Sequence, residues 1–211
     1  MSITVWCMTQ TPAPPPPLHI LILAAGAARR MRGSDKLLEP VAGQPLLRHI
    51  VQQAIGSGYP VTVALPPDRP ERLSALSGLP IRPITVAHPD RGMAESLRAG
   101  LANLPDAAAV LLLLADLPEI TTEDLRLMAD AQAAFPDLIL RATDETGHPG
   151  HPVVFPPWTR TDLMGLSGDE GARQVLRTHA DRLHFVALSG HHATTDLDTP
   201  EAWAAWRSGR E

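Results

Sequence analysis

Lys36 is the only lysine in this chain of 211 residues, and every other Lys/Arg position is arginine. A compact ammonium on a flexible stem differs from a planar guanidinium fork. Either Lys36 survives by chance or it marks a place where a point charge is needed. It ends the segment Leu23-Ala24-Ala25-Gly26-Ala27-Ala28-Arg29-Arg30-Met31-Arg32-Gly33-Ser34-Asp35-Lys36. Small residues let a backbone approach a ligand and turn N–H groups toward phosphate oxygens. The segment has neither the Walker A spacing nor the GxGxxG fingerprint, and its bland reading is a tight turn with solvated arginines. Because it follows an apolar strand, a triphosphate cradle of Leu23, Ala24, Ala25, Gly26, Arg30 and Lys36 is favoured.

Asp116 ends the most apolar run of the chain and precedes Leu117-Pro118. A hard carboxylate there can hold Mg²⁺ beside a phosphate, or merely cap the next element. A second ligand is expected from Asp196-Leu197-Asp198-Thr199-Pro200, where Asp196 and Asp198 share one face of an extended segment. Asp116 with Asp198, and Asp196 as a further candidate, thus form the expected metal site. Asp90-Arg91-Gly92-Met93-Ala94-Glu95-Ser96 places Gly92 and Ser96 at a helix start, where N–H groups favour an acceptor. An ordinary capped helix explains that stretch equally well.

His148 and His151 invite a zinc reading, which fails for want of four ligands. A Gly150-His151-Pro152 loop that orients an acceptor substrate fits better. Serine nucleophile chemistry lacks its Gly-x-Ser-x-Gly elbow.

The elements that must position these residues alternate. His19–Leu23, Val61–Leu65, Ile84–Ala87 and Ala109–Leu114 read as strands. Leu46–Ile55, Ala94–Leu104 and Thr121 or Thr122 to Ala134 read as helices. Strand–helix alternation with wholly apolar strands predicts a mostly parallel sheet covered on both faces, an α/β/α sandwich in one domain. After Pro136 the rhythm changes: strands Leu138–Ala142, Pro152–Phe155 and His184–Leu188, with helices Asp169–His179 and Pro200–Trp206, suggest a small β insertion. Ligands in such sheets sit beyond the carboxyl ends of the strands, where the candidates above fall.

Composition agrees with one α/β domain. Hydrophobic residues make up 44%, and a net charge of −5 without a basic stretch argues against a nucleic-acid partner. No run approaches the roughly 18 apolar residues of a membrane span. Cys7, the only cysteine, fits a reducing cytoplasm. The Pro-rich residues 1–17 read as a tail before a domain over 18–207, and translation could begin at Met8 as well as Met1.

Nine pieces in this order resemble the molybdenum cofactor nucleotidyltransferases of the MobA-like NTP transferase group. They are Leu23-Ala24-Ala25-Gly26, Arg30-Met31, Asp35-Lys36-Leu37-Leu38, Gly43-Gln44-Pro45-Leu46, Gly92-Met93 with Glu95-Ser96-Leu97, Leu114-Ala115-Asp116-Leu117-Pro118, Gly150-His151-Pro152-Val153, Gly168-Asp169-Glu170-Gly171-Ala172-Arg173 and Asp196-Leu197-Asp198-Thr199-Pro200. Ala24-Ala25-Gly26 is similar to the cytidylyltransferase branch, as are Gly150-His151-Pro152 and Gly168-Asp169. Ala28 stands where the family usually has serine, and Arg32-Gly33 shifts its usual glycine.

The resemblance implies a Rossmann-like fold and transfer of CMP from CTP to the terminal phosphate of molybdopterin or the molybdenum cofactor. Asp116 and Asp198 would hold Mg²⁺, and Lys36, Arg30 and Asp116 would carry the chemistry. Gly92 and Ser96 would face the nucleoside; Gly150, His151, Pro152, Gly168, Asp169 and Arg173 would face the acceptor. Molybdoenzymes or their maturation chaperones would be partners. The rival readings are transfer of GMP from GTP, a sugar or polyol phosphate acceptor, or a non-catalytic nucleotide-binding cofactor chaperone.

Overall fold

A computed structural model describes residues 17–27, 31 and 33–209. The expected tail over 1–17 lies, apart from residue 17, outside the described residues, as does Arg30. Strands β1 (Leu18–Leu23), β4 (Val61–Leu65), β5 (Arg82–Thr85) and β6 (Ala109–Leu114) form the parallel half of a seven-stranded sheet, and β2 (Pro40–Val41) pairs with β3 (Gln44–Pro45) in a separate hairpin. Strands β7 (Ile139–Thr143), β8 (Pro149–Phe155) and β9 (Leu183–Ala187) complete the order β5-β4-β1-β6-β8-β7-β9. Within the seven-stranded sheet of the described residues, β8 alone runs against its neighbours. The fold is therefore a single α/β domain with a mostly parallel sheet, as expected, and the strands of its second half join that same sheet.

Burial on both faces explains the unbroken apolar strands. Along β1, Ile20 and Ile22 pack on one side of the sheet, Leu21 and Leu23 on the other. Helices α1 (Leu46–Gly56), α4 (Thr122–Ala134) and α7 (Pro200–Ser208) cover the first side with Leu46, Leu125 and Trp203. Helices α3 (Met93–Leu101), α5 (Arg160–Met164) and α6 (Arg173–Thr178) cover the second with Leu97, Leu163 and Val175. Helix α2 (Pro70–Ala75), not expected from periodicity because it is so short, follows β4. Among the described residues, no helix is long and apolar enough to cross a membrane.

Three expectations need correction. Gly150-His151-Pro152 is strand, not loop: β8 starts at Pro149, and the His151 N–H donates to the Ala193 carbonyl at 2.9 Å. Asp169–His179 is not one helix. A 3-10 turn over Gly168–Glu170 ends at Gly171, whose φ of +55° is left-handed, and α6 begins only at Arg173. The strand expected at Ile84–Ala87 lies at Arg82–Thr85, since Pro83 is tolerated on an edge strand.

Thr121 caps α4 by a reciprocal pair of bonds: its hydroxyl accepts from the Asp124 N–H, and Asp124 accepts from the Thr121 N–H. Thr121→Ala is expected to lower stability by ~1 kcal/mol, read as a smaller denaturation midpoint in urea with an unchanged slope.

Candidate active site

Strand β1 is where the order reverses, with β4 on one side and β6 on the other. At such a point the loops beyond adjacent strands part and leave a crevice. Here the register sets Leu23 beside Leu114, so the segment after β1 and the segment after β6 leave the sheet side by side. A cavity of about 510 Å³ opens there. Leu23, Ala24, Ala25, Gly26, Lys36, Gly92, Ser96, Asp116, Asp169, Arg173, Asp196 and Asp198 all line it. Gly150, His151, Pro152 and Gly168 do not appear in its wall. Asp90 and Met93 line it too, though the sequence singled out neither for a role.

The centre of the site is a triad of charges. The Lys36 Nζ donates to Asp116 Oδ2 and to Asp198 Oδ1, each at 2.5 Å, with all three side chains less than one-fifth exposed. Burial draws the Lys36 ammonium toward neutrality, but Asp116 and Asp198 outweigh it and hold the group above the ordinary lysine range. Asp196 is pushed up by burial and then by the carboxylates of Asp198 and Asp116. Three carboxylates thus crowd one ammonium, leaving the spot short of positive charge. Asp116 Oδ1 is buried without a hydrogen-bond partner. An oxygen so placed suits a hard cation, although among the described residues no three His, Cys, Asp or Glu side chains are arranged to hold one unaided.

The side of the cavity that carries Lys36 is built locally. Asp35 accepts from the Leu37 N–H and so caps the 3-10 turn Lys36–Leu38. The Ala24 N–H is already engaged by the Ala64 carbonyl at 2.9 Å, so the expected cradle donors must come from later in the loop. A Cβ at Gly26 would meet nothing within 4 Å. Packing among the described residues does not demand that glycine, which lines the cavity.

Across the cavity, Gly92 precedes α3 as its N-cap, and its φ of +96° and close neighbour, the Gly168 carbonyl 2.5 Å from a would-be Cβ, admit no side chain. Gly168 therefore supports the rim from behind. Gly150 is equally constrained, because a Cβ there would lie 1.9 Å from the Ala193 carbonyl. These two glycines lock the late strands and the return segment against the site. His151 sits behind the cavity: its ring bonds the Leu112 backbone, while Nδ1 is buried without a partner.

A family model described as the MobA-like NTP transferase domain matches residues 20–183. The bifunctional protein GlmU of Xanthomonas campestris pv. campestris (strain B100) is 32% identical over 142 residues, 63% of this chain and 30% of that protein. The chain thus spans about 30% of the length of that relative. Rv0371c from Mycobacterium tuberculosis H37Rv superposes with a TM-score of 0.79 at 24% identity, covering 92% of this chain and 98% of that one. Its manganese complex gives a TM-score of 0.75 at 22% identity, covering 90% and 97%. A CMP:2-keto-3-deoxy-manno-octonic acid synthetase complexed with CTP gives 0.73 at 14%, covering 92% and 98%. At these identities the structural likenesses speak for the fold.

Burial holds the His151 imidazole down to about 4, with Arg141 and Arg173 adding to the effect and Asp116 opposing it. A histidine depressed when folded binds its proton more readily when unfolded, so its contribution is intact above pH 6.5 and is lost as pH falls toward 4. His151→Phe is expected to flatten that acid loss by up to ~3 kcal/mol, measured as unfolding free energy against pH. An unchanged slope between the two proteins would remove His151 as its source.

Proposed function

The chain belongs to the MobA-like NTP transferase family, and from that premise we propose that it transfers CMP from CTP to the terminal phosphate of molybdopterin or the molybdenum cofactor, releasing pyrophosphate. One observation carries the catalytic part of this reading: Lys36, Asp116 and Asp198 converge at the mouth of the crevice, beside the small-residue turn at Ala24–Gly26. An acceptor phosphate oxygen attacks the α-phosphorus, and the bond between the α-phosphorus and the bridging oxygen to the β-phosphate breaks. Such transfers need alignment and charge neutralisation more than covalent help.

Lys36 neutralises the triphosphate, with Arg30 as a second cation. The turn brings backbone close to the phosphates. Gly92 and Ser96, on the α3 start, face the nucleoside, and Asp169 and Arg173 hold the acceptor, with Gly150, His151, Pro152 and Gly168 shaping that side from behind. The carboxylates of Asp116 and Asp198 would hold Mg²⁺, the unpartnered Asp116 Oδ1 being a ready donor; when bound, the ion supplies charge neutralisation at the reacting phosphate. A manganese complex of a structural neighbour supports a divalent cation here. The CTP in another supports the choice of nucleotide and, by that protein's name, favours a second reading with a sugar-type acceptor.

Purified protein offered each of the four NTPs with molybdopterin is expected to release pyrophosphate with CTP. Turnover with GTP alone would overturn the cytidylyl assignment, and turnover only with sugar or polyol phosphates would select the second reading. Asp116→Ala is expected to lower kcat by on the order of 10²–10³ while sparing nucleotide binding in metal-free buffer; a variant that keeps full turnover places the chemistry elsewhere.

In the triad, the Lys36 ammonium already occupies both carboxylates. A divalent cation arriving without nucleotide must compete with it. Lys36→Met should therefore bind Mn²⁺ about tenfold more tightly than the native protein, a difference of ~1.4 kcal/mol, in a nucleotide-free titration followed by electron paramagnetic resonance. Equal affinities would mean that the lysine does not compete.

A further inference from the structure

Arg72, on α2, is wholly buried and lies outside the cavity wall, yet it touches both parts of the side that carries Lys36. Its Nε donates to Asp35 Oδ2 at 2.7 Å and its Nη2 to Asp35 Oδ1 at 2.9 Å. Its Nη1 donates to the Ala24 carbonyl at 2.6 Å and to the Gly26 carbonyl at 2.9 Å. Asp35 directly precedes Lys36 and caps its turn. Arg69 adds a weaker strut, from Nη1 to Asp35 Oδ2 at 3.3 Å and from Nη2 to the Ala27 carbonyl at 3.1 Å.

One guanidinium therefore ties the turn after β1 to the turn that carries Lys36. It also engages two carbonyls, at Ala24 and Gly26, whose oxygens would repel a phosphate if they faced the cavity. The charge of Arg72 is offset by Asp35, so what the pair adds to the site is geometry. A buried ion pair contributes little net stability, because desolvation offsets the attraction. Only a planar fork can serve a carboxylate with one edge and backbone carbonyls with another.

We propose that Arg72 is a positioning residue for nucleotidyl transfer: by clamping Asp35 to the Ala24 and Gly26 carbonyls, it fixes Lys36 against Asp116 and Asp198 and shapes the phosphate-facing turn. This rests on the function proposed above, but its structural half is measurable without any turnover. Lys36 is the only lysine of the chain, so an amine-specific reagent followed by peptide mass spectrometry reports on that one side chain apart from the terminal amine.

The comparison is Arg72→Gln with Arg160→Gln. Arg160 also holds backbone carbonyls, of Leu101 and Leu104, but beyond the opposite end of the sheet from the cavity. Both variants are checked for Tm. In Arg72→Gln, Lys36 is expected to label several times faster, the KM for nucleotide to rise and kcat to fall about a hundredfold, the cost of misplacing a group by an ångström. The KM for the acceptor should hold. Arg160→Gln should match the native protein in labelling and kcat even where its Tm drops as far.

Unchanged Lys36 labelling in folded Arg72→Gln overturns the proposal, as does equal loss in both variants. If Arg72→Gln fails to fold, Asp35→Asn, which keeps the cap acceptor and discards the charge, must show the same faster labelling, and native labelling there overturns the proposal too. A native protein that turns over no NTP would instead strike at the proposed function, leaving the labelling result to decide the clamp.

Discussion

The ammonium of Lys36 between the carboxylates of Asp116 and Asp198 is the contact on which the site depends. Its partners lie 80 and 162 residues away in sequence. No local propensity brings them together. The parallel pairing of β1 with β6 does so for the first, and the return of the chain after β9 does so for the second. Partial burial strengthens each attraction, because less water screens it. The same burial makes a surplus of carboxylates costly, which is why Asp196 is pushed toward its neutral form and why the cluster favours a further cation.

Around this contact the two halves of the chain have different tasks. The parallel half presents a crevice at the carboxyl ends of β1 and β6, walled by small residues and one lysine. The later half, with its single reversed strand β8, delivers Asp196 and Asp198 and the turn at Gly168–Glu170. Gly92 against Gly168 and Gly150 against Ala193 are the close approaches that let this delivery happen without a gap. A glycine that looks like a ligand contact in a sequence can thus be a packing requirement one layer back. Gly26 is the opposite case, since no described residue requires it to be small.

The charge of the site is gathered in one cluster: Lys36, held from behind by the Arg72–Asp35 pair, contacts Asp116 and Asp198 directly, and Arg173 lines the cavity besides. The anionic substrate proposed above would meet one ammonium already shared by two carboxylates, and would bring a counter-ion of its own. That pattern accords with a reaction in which phosphates arrive together with a metal.

Strand existence and the two-sided burial of the sheet were legible in the sequence, because unbroken apolar runs such as Ala109–Leu114 have few other uses. Lys36 could be named as the lone lysine in the segment after the first strand, Asp116 as the carboxylate after the apolar run, and Asp198 as one of a pair before the last helix; the structure brings these three side chains together. Periodicity overlooked α2 and read through Gly171, since a helix of six residues gives too few repeats and a left-handed glycine leaves no trace in hydrophobic spacing. Arg72 was invisible for a different reason: a buried arginine and a solvated one are the same letter. Only the fold, by carrying Arg72 under the turn of Ala24 and Gly26 and against Asp35, decided that its charge would be spent inside. The sequence by itself determined that apolar strands would alternate with helices, and that the small-residue segment with Lys36 and the carboxylate of Asp116 would follow two of those strands. Which side chains meet was left to tertiary structure, because strand order, the reversal at β8 and the path of the closing segment are long-range choices that no local pattern encodes.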